Sequence, residues 1–192
     1  MILSAVLLAG GESRRMGSDK AVIVFAGEPL WRRQTRTLQQ LQQATVFVSA
    51  RTEPEWRPAD VELVVDEPPS RGPISGIAAA LAQMQTSHLL VLAVDMPFIT
   101  GAHLQTLCQR ATAGRGVVPV ISGRAEPLAA IYPREAHPDF AAALGRNELS
   151  LQPLVRNLAS AGKVEMMQID PAEVHLYRNL NQPRDLTFSG AW

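Results

Sequence analysis

Apolar residues along this chain fall into short unbroken runs, separated by longer stretches in which they recur every three or four positions. Residues 2–8 (ILSAVLL), 45–50 (TVFVSA), 62–66 (ELVVD), 88–95 (HLLVLAVD), 116–121 (GVVPVI), 127–132 (PLAAIY) and 164–169 (VEMMQI) form the runs, and each reads as a strand. A strand that is apolar at consecutive positions is buried on both faces, as in a parallel sheet. Between the runs, Leu30, Gln34, Leu38 and Leu41 space out a helix beginning near Pro29. Ile74, Ile77, Ala78, Leu81 and Met84 stripe a second. A third carries Leu104, Leu107, Cys108 and Ala111, with Thr100 placed to cap it, so Cys108 reads as a core residue rather than a nucleophile. Two more helices are expected between Arg134 and Gly162, the second capped by Ser150, striped by Leu151, Leu154, Val155 and Leu158, and stopped by Gly162.

Strands alternating with helices predict an α/β fold: a three-layer α/β/α sandwich around a mostly parallel sheet. Right-handed crossovers then gather the loops that follow the strands on one edge, where sheets of this kind bind ligands. With 192 residues and no internal repeat, low-complexity tract or linker, a single domain over residues 1–192 is expected, its tail at 187–192 loosely held.

Composition narrows the function. Hydrophobic residues at 46% and charged residues at 19% describe an ordinary globular protein. Lys plus Arg and Asp plus Glu number 18 each, so no global basic field exists to hold a nucleic acid, and any anion must be met locally. The apolar start MILSAVLLAGG lacks a basic n-region and is too short to cross a bilayer, so neither export nor membrane insertion is expected. One cysteine, Cys108, and no Cys/His cluster at zinc spacing fit a reducing cytoplasm. His88, His103, His137 and His175 occupy separate segments without partner spacing and read as surface or locally satisfied residues.

Against that neutral background the stretch LLAGGESRRMGSDK, residues 7–20, stands out. It leaves the first strand over Gly10 and Gly11 and sets Arg15, Gly17 and Lys20 in one loop, so backbone N–H groups and cations can surround a phosphate chain. A solvated basic loop is the plainer alternative. Neither GxxxxGK[ST] nor GxGxxG occurs, so a cradle here is of another kind. Two carboxylates reach the same predicted edge. Asp95 ends the most apolar strand, where a charge is costly without a cation, and Mg²⁺ is the natural partner for a carboxylate beside phosphates. It could instead cap the next helix. Asp66, before two prolines, could be a turn residue or could accept hydrogen bonds from a nucleobase.

These residues carry a resemblance. LAGGESRRMGSDK, GPISG at 72–76, AVDMPFI at 93–99, EPLAAIY at 126–132 and NLNQP at 179–183 resemble the molybdenum cofactor guanylyltransferases, within the wider nucleotidyltransferase superfamily, over nearly the whole chain. The resemblance implies a Rossmann-like nucleotidyltransferase sheet and transfer of GMP from GTP to molybdopterin with release of pyrophosphate. It implies that Leu8, Ala9 and Gly10 line the nucleotide, that Arg15 and Lys20 meet its phosphates, that Asp66 reads the base and that Asp95 binds Mg²⁺. Asn179 and Asn181 resemble paired asparagines near the metal and the pterin phosphate, and Gly72 and Gly76 fall in a motif assigned to the same side. Where several relatives carry a nucleotide-contacting asparagine after the second strand, this chain has Ser49, whose hydroxyl reaches less far but can still donate or accept and is expected to contact the nucleotide. Arg71 and Arg124 are candidates for grasping the pterin or its phosphate, or are solvated loop arginines.

Related cytidylyltransferases for the same pterin read AAG where this chain reads Ala9, Gly10, Gly11. A second glycine removes a Cβ and leaves room for a purine, which favours guanine. Cytidylyl transfer to the same pterin and nucleotidyl transfer to another phosphorylated small molecule are the neighbouring alternatives. A nucleotide-binding module that regulates or escorts the cofactor is one of a different class. The family also suggests molybdoenzymes or their chaperones as partners, while oligomeric state has no mark in the sequence.

Overall fold

Burial on both faces decides the architecture. The computed structural model describes residues 2–10, 19–41, 45–65 and 71–180. Its strands are β1 (Leu3–Leu8), β2 (Val24–Phe25), β3 (Glu28–Pro29), β4 (Thr45–Ala50), β5 (Glu62–Val65), β6 (His88–Ala93), β7 (Gly116–Ile121), β8 (Arg124–Ala125), β9 (Ala129–Pro133) and β10 (Val164–Gln168). The helices are α1 (Leu30–Gln39), α2 (Pro73–Gln83), α3 (Gly101–Arg110), α4 (His137–Gly145) and α5 (Leu151–Ser160), with 3-10 turns at Lys20–Val22, Arg134–Ala136 and Pro171–Tyr177. Eight strands make one sheet in the order β10-β7-β9-β6-β1-β4-β5, with β8 paired to β7, while β2 and β3 form a separate hairpin.

Successive residues of the inner strands serve opposite cores. Leu90 and Leu92 of β6 pack with α1 and α3 through Leu30, Leu38, Leu104 and Leu107. Leu89 and Val91 pack with α2, α4 and α5 through Ile77, Leu81, Phe140 and Leu154. All of β6 is buried, as its uninterrupted apolar sequence requires. The sandwich therefore has its three layers, and the stripes assigned to α2 and α5 face the sheet. Met84 is fully buried although it lies just past the last turn of α2. Among the described residues no helix is long and apolar enough to cross a membrane.

The sheet is mostly parallel, with a reversal the apolar pattern does not reveal. β9 runs antiparallel to both β6 and β7, whereas β1 is parallel to β4 and β6, and β10 to β7. Ser122 (φ 49°) and Gly123 (φ 77°) form the two-residue link between β7 and β8. Two consecutive positive φ values suit the twist of a tight hairpin, and they turn the chain back so that β9 enters between β7 and β6. Other expectations shift by small amounts. The strand expected over 88–95 ends at Ala93, leaving Asp95 in the turn beyond it, and the strand expected over 127–132 occupies Ala129–Pro133. Thr100 caps α3 by accepting from the His103 N–H at 3.2 Å. Ser150 sits at the N-cap of α5 but its side chain makes no capping bond there, so that helix is held by its buried stripe. Cys108 is half-buried against the core, and burial pushes its thiol up to about 11.

His88, which opens β6, is 1% exposed. Its Nε2 lies 2.9 Å from the Thr112 carbonyl, and its Nδ1 lies 3.0 Å from Ser87 Oγ. Burial holds the imidazole below its ordinary 6.5, against the opposing pull of the Thr112 and Arg115 backbone and of Glu135. The unfolded chain takes the proton more readily, so this contribution to stability is complete above the unfolded value of about 6.5 and is lost as pH falls towards the folded one. The denaturation midpoint should drop between about pH 7 and about pH 5, and His88→Gln should flatten that slope. Equal slopes in the two proteins would rule this origin out.

Candidate active site

The carboxyl ends of β1, β4 and β6 lie side by side and are tied together by backbone. Ala9 N–H donates to the Ser49 carbonyl (3.0 Å), and Val94 N–H donates to the Leu8 carbonyl (3.1 Å). Leu8, Ala9 and Gly10 are partly exposed as β1 leaves the sheet. A Cβ on Gly10 would meet nothing closer than Ala50 Cα at 3.5 Å, so packing against β4 does not demand a glycine there.

Lys20 and Asp95 meet at this edge. Lys20 Nζ donates to Asp95 Oδ2 at 2.8 Å, with the side chains 22% and 18% exposed. The sequence placed both on one edge, and the structure pairs them. Lys20 opens a 3-10 turn whose N-cap is Asp19: the Asp19 Oδ1 accepts from Ala21 N–H at 2.9 Å. The other oxygen, Oδ2, accepts from Trp56 Nε1–H at 3.0 Å. Trp56 stacks on Trp31 of α1, with ring centroids 5.5 Å apart and planes 19° from parallel. Asp95 is held from the same helix. Gln34 of α1, fully buried, donates its amide to the Met96 carbonyl at 2.7 Å and reaches the Ala93 carbonyl at 3.4 Å. Arg33 donates to the Pro97 carbonyl at 2.9 Å.

A third segment closes on Asp95 from the far end of the chain. Leu180 N–H donates to the Asp95 carbonyl at 2.8 Å, which brings the exposed Asn179 beside it. The preceding 3-10 turn is anchored by buried His103: Nε2 lies 2.7 Å from the Tyr177 hydroxyl and Nδ1 lies 3.3 Å from Glu173. Burial, with Glu126 and Glu173 nearby, pushes the Tyr177 phenol above its ordinary range. His103 is thus a locally satisfied residue, as its isolation in sequence suggested.

Other candidates make structural contacts. Ser49 is buried, and a Cβ on Gly76 would collide with its Oγ and lie 3.1 Å from Leu8 Cδ2. Gly76 therefore lets the first turns of α2 settle onto the ends of β1 and β4. Gly72 has φ 76° and no neighbour near its Cβ position, so backbone conformation is what requires a glycine at this N-cap. Arg71 donates to the Leu144 carbonyl at 2.7 Å, satisfying an acceptor at the C-terminus of α4. Burial raises the Glu126 carboxyl above its ordinary value, and the charge of Arg124, exposed on the β7–β8 hairpin, only partly offsets this. Gly11, Arg15, Asp66 and Asn181 lie outside the described residues. Asp19 and Trp56 were not singled out by sequence reasoning, and Gln34 entered it only as a position on the face of the first helix. An aspartate just before a short turn is a capping signal that could have found Asp19, whereas Trp56, in a proline-rich loop, carries none.

Comparisons with known proteins point one way. The model of the MobA-like NTP transferase domain matches residues 5–162. A protein of Opitutus terrae named "Probable molybdenum cofactor guanylyltransferase" is 38% identical over 186 residues, 95% of this chain and 92% of that one. The "Molybdenum cofactor guanylyltransferase" of Pseudomonas putida is 31% identical over 152 residues, covering 78% of this chain and 80% of its own length. Among solved structures, molybdopterin-guanine dinucleotide biosynthesis protein A of Archaeoglobus fulgidus shares the fold with a TM-score of 0.74 at 23% identity, over 95% of this chain and 94% of that one.

The contact between Gly76 and Ser49 makes a stability prediction. Gly76→Ala should cost about 1–3 kcal/mol by overpacking, and clearly less when Ser49→Ala has removed the hydroxyl. Chemical denaturation of the four proteins in this cycle checks it, and an equal cost in both backgrounds would discard the packing explanation.

Proposed function

The chain belongs to the MobA-like NTP transferase family, and on that footing we propose that it transfers GMP from GTP to molybdopterin, releasing pyrophosphate and forming the guanine dinucleotide cofactor. The observation that carries the reading is the Lys20–Asp95 pair at the carboxyl edge of β1 and β6. It sets a cation for phosphates against a carboxylate for a metal.

The chemistry asks little of the protein as acid or base. An ionised oxygen of the pterin's terminal phosphate attacks the α-phosphorus of GTP, the bond to the bridging oxygen breaks, and the electron pair leaves with pyrophosphate. No proton need be removed from the nucleophile, so catalysis reduces to position and charge. The backbone of Leu8, Ala9 and Gly10 lines the nucleotide. Lys20 exchanges Asp95 for phosphate oxygens and meets the charge that gathers on the departing pyrophosphate, with Arg15 as its partner in that role. Asp66 reads the base, and Asn179 and Asn181 serve the metal and the pterin phosphate.

Mg²⁺ is part of this proposal. Among the described residues no group of three or more His, Cys, Asp or Glu could hold a metal by itself. The single carboxylate of Asp95 is a donor set that fits Mg²⁺, which keeps waters and takes its remaining ligands from substrate phosphates. Bound there, it supplies Lewis-acid polarisation of the phosphoryl oxygens. The reading sets the protein in the cytoplasm with GTP and molybdopterin as substrates, and molybdoenzymes or their chaperones as recipients of the product. The choice of guanine over cytosine is supported by Gly11 and by the names of the relatives.

Lys20→Ala and Asp95→Ala should fold yet each lose about 10²–10³ in turnover, measured as pyrophosphate released from Mg·GTP with molybdopterin. Near-normal turnover in either would overturn the assignment of roles. GTP should be consumed in preference to CTP and ATP in direct competition, and a preference for CTP would move the chain to the cytidylyl reaction.

A further inference from the structure

The stretch EPLAAIY, residues 126–132, takes no part in the Lys20–Asp95 site, yet it reaches the same edge of the sheet. It leads from the β7–β8 hairpin into β9, whose first residue, Ala129, pairs with Leu92 near the end of β6. The backbone at its head is tied on several sides. Ala125 exchanges both its groups with the side-chain amide of Gln152, at 3.3 and 2.8 Å. Glu126 N–H donates to the Pro119 carbonyl (2.8 Å), and the Pro127 carbonyl accepts from the hydroxyl of buried Tyr132 (3.0 Å). The Leu128 carbonyl accepts from Ala93 N–H (2.8 Å), which fixes the loop to the end of β6 two residues before Asp95.

The side chain of Glu126 has no such ties. It is half-buried, yet its carboxylate makes no hydrogen bond and no ion pair among the described residues, and Arg124 acts on it only at a distance. A charge held partly out of water without a partner costs the fold stability, so packing gives no reason for a carboxylate here. Position gives one. Asp95 divides the sheet edge: β1 and β4 lie on one side of β6, at the ends that line the nucleotide in the proposed function, and β9 and β7 lie on the other. Glu126 belongs to the second half, near enough to Tyr177 that its charge adds to the rise of that phenol, and Tyr177 lies two residues before Asn179. We propose, on the footing of the guanylyl-transfer reading, that Glu126 is a specificity-determining residue for the acceptor, its carboxylate receiving the paired N–H groups of a 2-amino-4-oxopyrimidine ring such as a pterin carries. Such a ring presents a ring N–H and an amino N–H side by side, and the two carboxylate oxygens accept both at once. The tied backbone sets the carboxylate in place before the ring arrives, which lowers the ordering cost of binding.

Glu126→Gln keeps the shape and exchanges one acceptor for a donor. It should raise KM for molybdopterin about tenfold, with kcat and KM for GTP near wild type, because bonds to the ring act on ground and transition state alike. Its thermal midpoint should be unchanged or higher, which separates a loss of binding from a loss of fold. A second measurement needs no turnover. Fluorescence titration with 2-amino-4-oxopteridine and with 2,4-dioxopteridine, in which a carbonyl replaces the amino group, should show the wild type favouring the amino compound about tenfold and Glu126→Gln losing or reversing that preference. A wild type that binds the two alike or binds neither, or a Glu126→Gln protein that keeps the wild-type preference, would overturn the proposal, and so would an unchanged KM for molybdopterin. Absence of GMP transfer in the unmodified protein would instead remove the functional reading, and the pteridine titration would then decide the role of Glu126 by itself.

Discussion

The end of β6 is the constraint from which the site follows. This strand is wholly buried, flanked by β1 and β9 and covered on both faces. Where it leaves its ladder, its backbone groups are still poorly placed to reach water and must find partners in protein. Ala93 N–H takes the Leu128 carbonyl, Val94 N–H the Leu8 carbonyl, and the Asp95 carbonyl receives Leu180 N–H. The Ala93 and Met96 carbonyls share the amide of Gln34. Those partners come from the loop after β8, the end of β1, the segment after the last 3-10 turn, and α1. Satisfying one strand end thus draws in four distant parts of the chain, and Asp95 is fixed because its neighbours on both sides are.

Much of this was legible from apolar pattern alone, because burial on both faces leaves an unmistakable run. β1, β4, β6 and β7 coincide with such runs to within a residue or two, and the stripe of α5 from Leu151 to Leu158 is the buried face. What the pattern could not carry was direction. Residues in β9 are apolar on both faces whichever way the strand runs, and its reversal depends on two positive φ values at Ser122 and Gly123. The site divides in the same way. Lys20 and Asp95 were legible because a cation after a glycine pair and a carboxylate after an apolar strand are conspicuous by type. The roles of Gly76 and Ser49 were not, since a collision between an absent Cβ and a hydroxyl is a property of two elements brought together, not of either sequence. Trp56 belongs to this second class. An aromatic residue in a proline-rich loop gives no sign that its N–H will meet Asp19 from 37 residues away.

The ion pair itself has a consequence for how an uncharged protein can hold a polyanion. Lys20 and Asp95 are each less than a quarter exposed, and their pairing offsets part of the desolvation cost that each charge carries there. Together they cancel, which lets the chain keep both charges at the sheet edge without a strong local field. Under the proposed function, a nucleotide with its metal would offer each member a partner of opposite sign: phosphate oxygens for the ammonium, a divalent cation for the carboxylate. On that reading, the two side chains that would meet that complex share α1 as their common support.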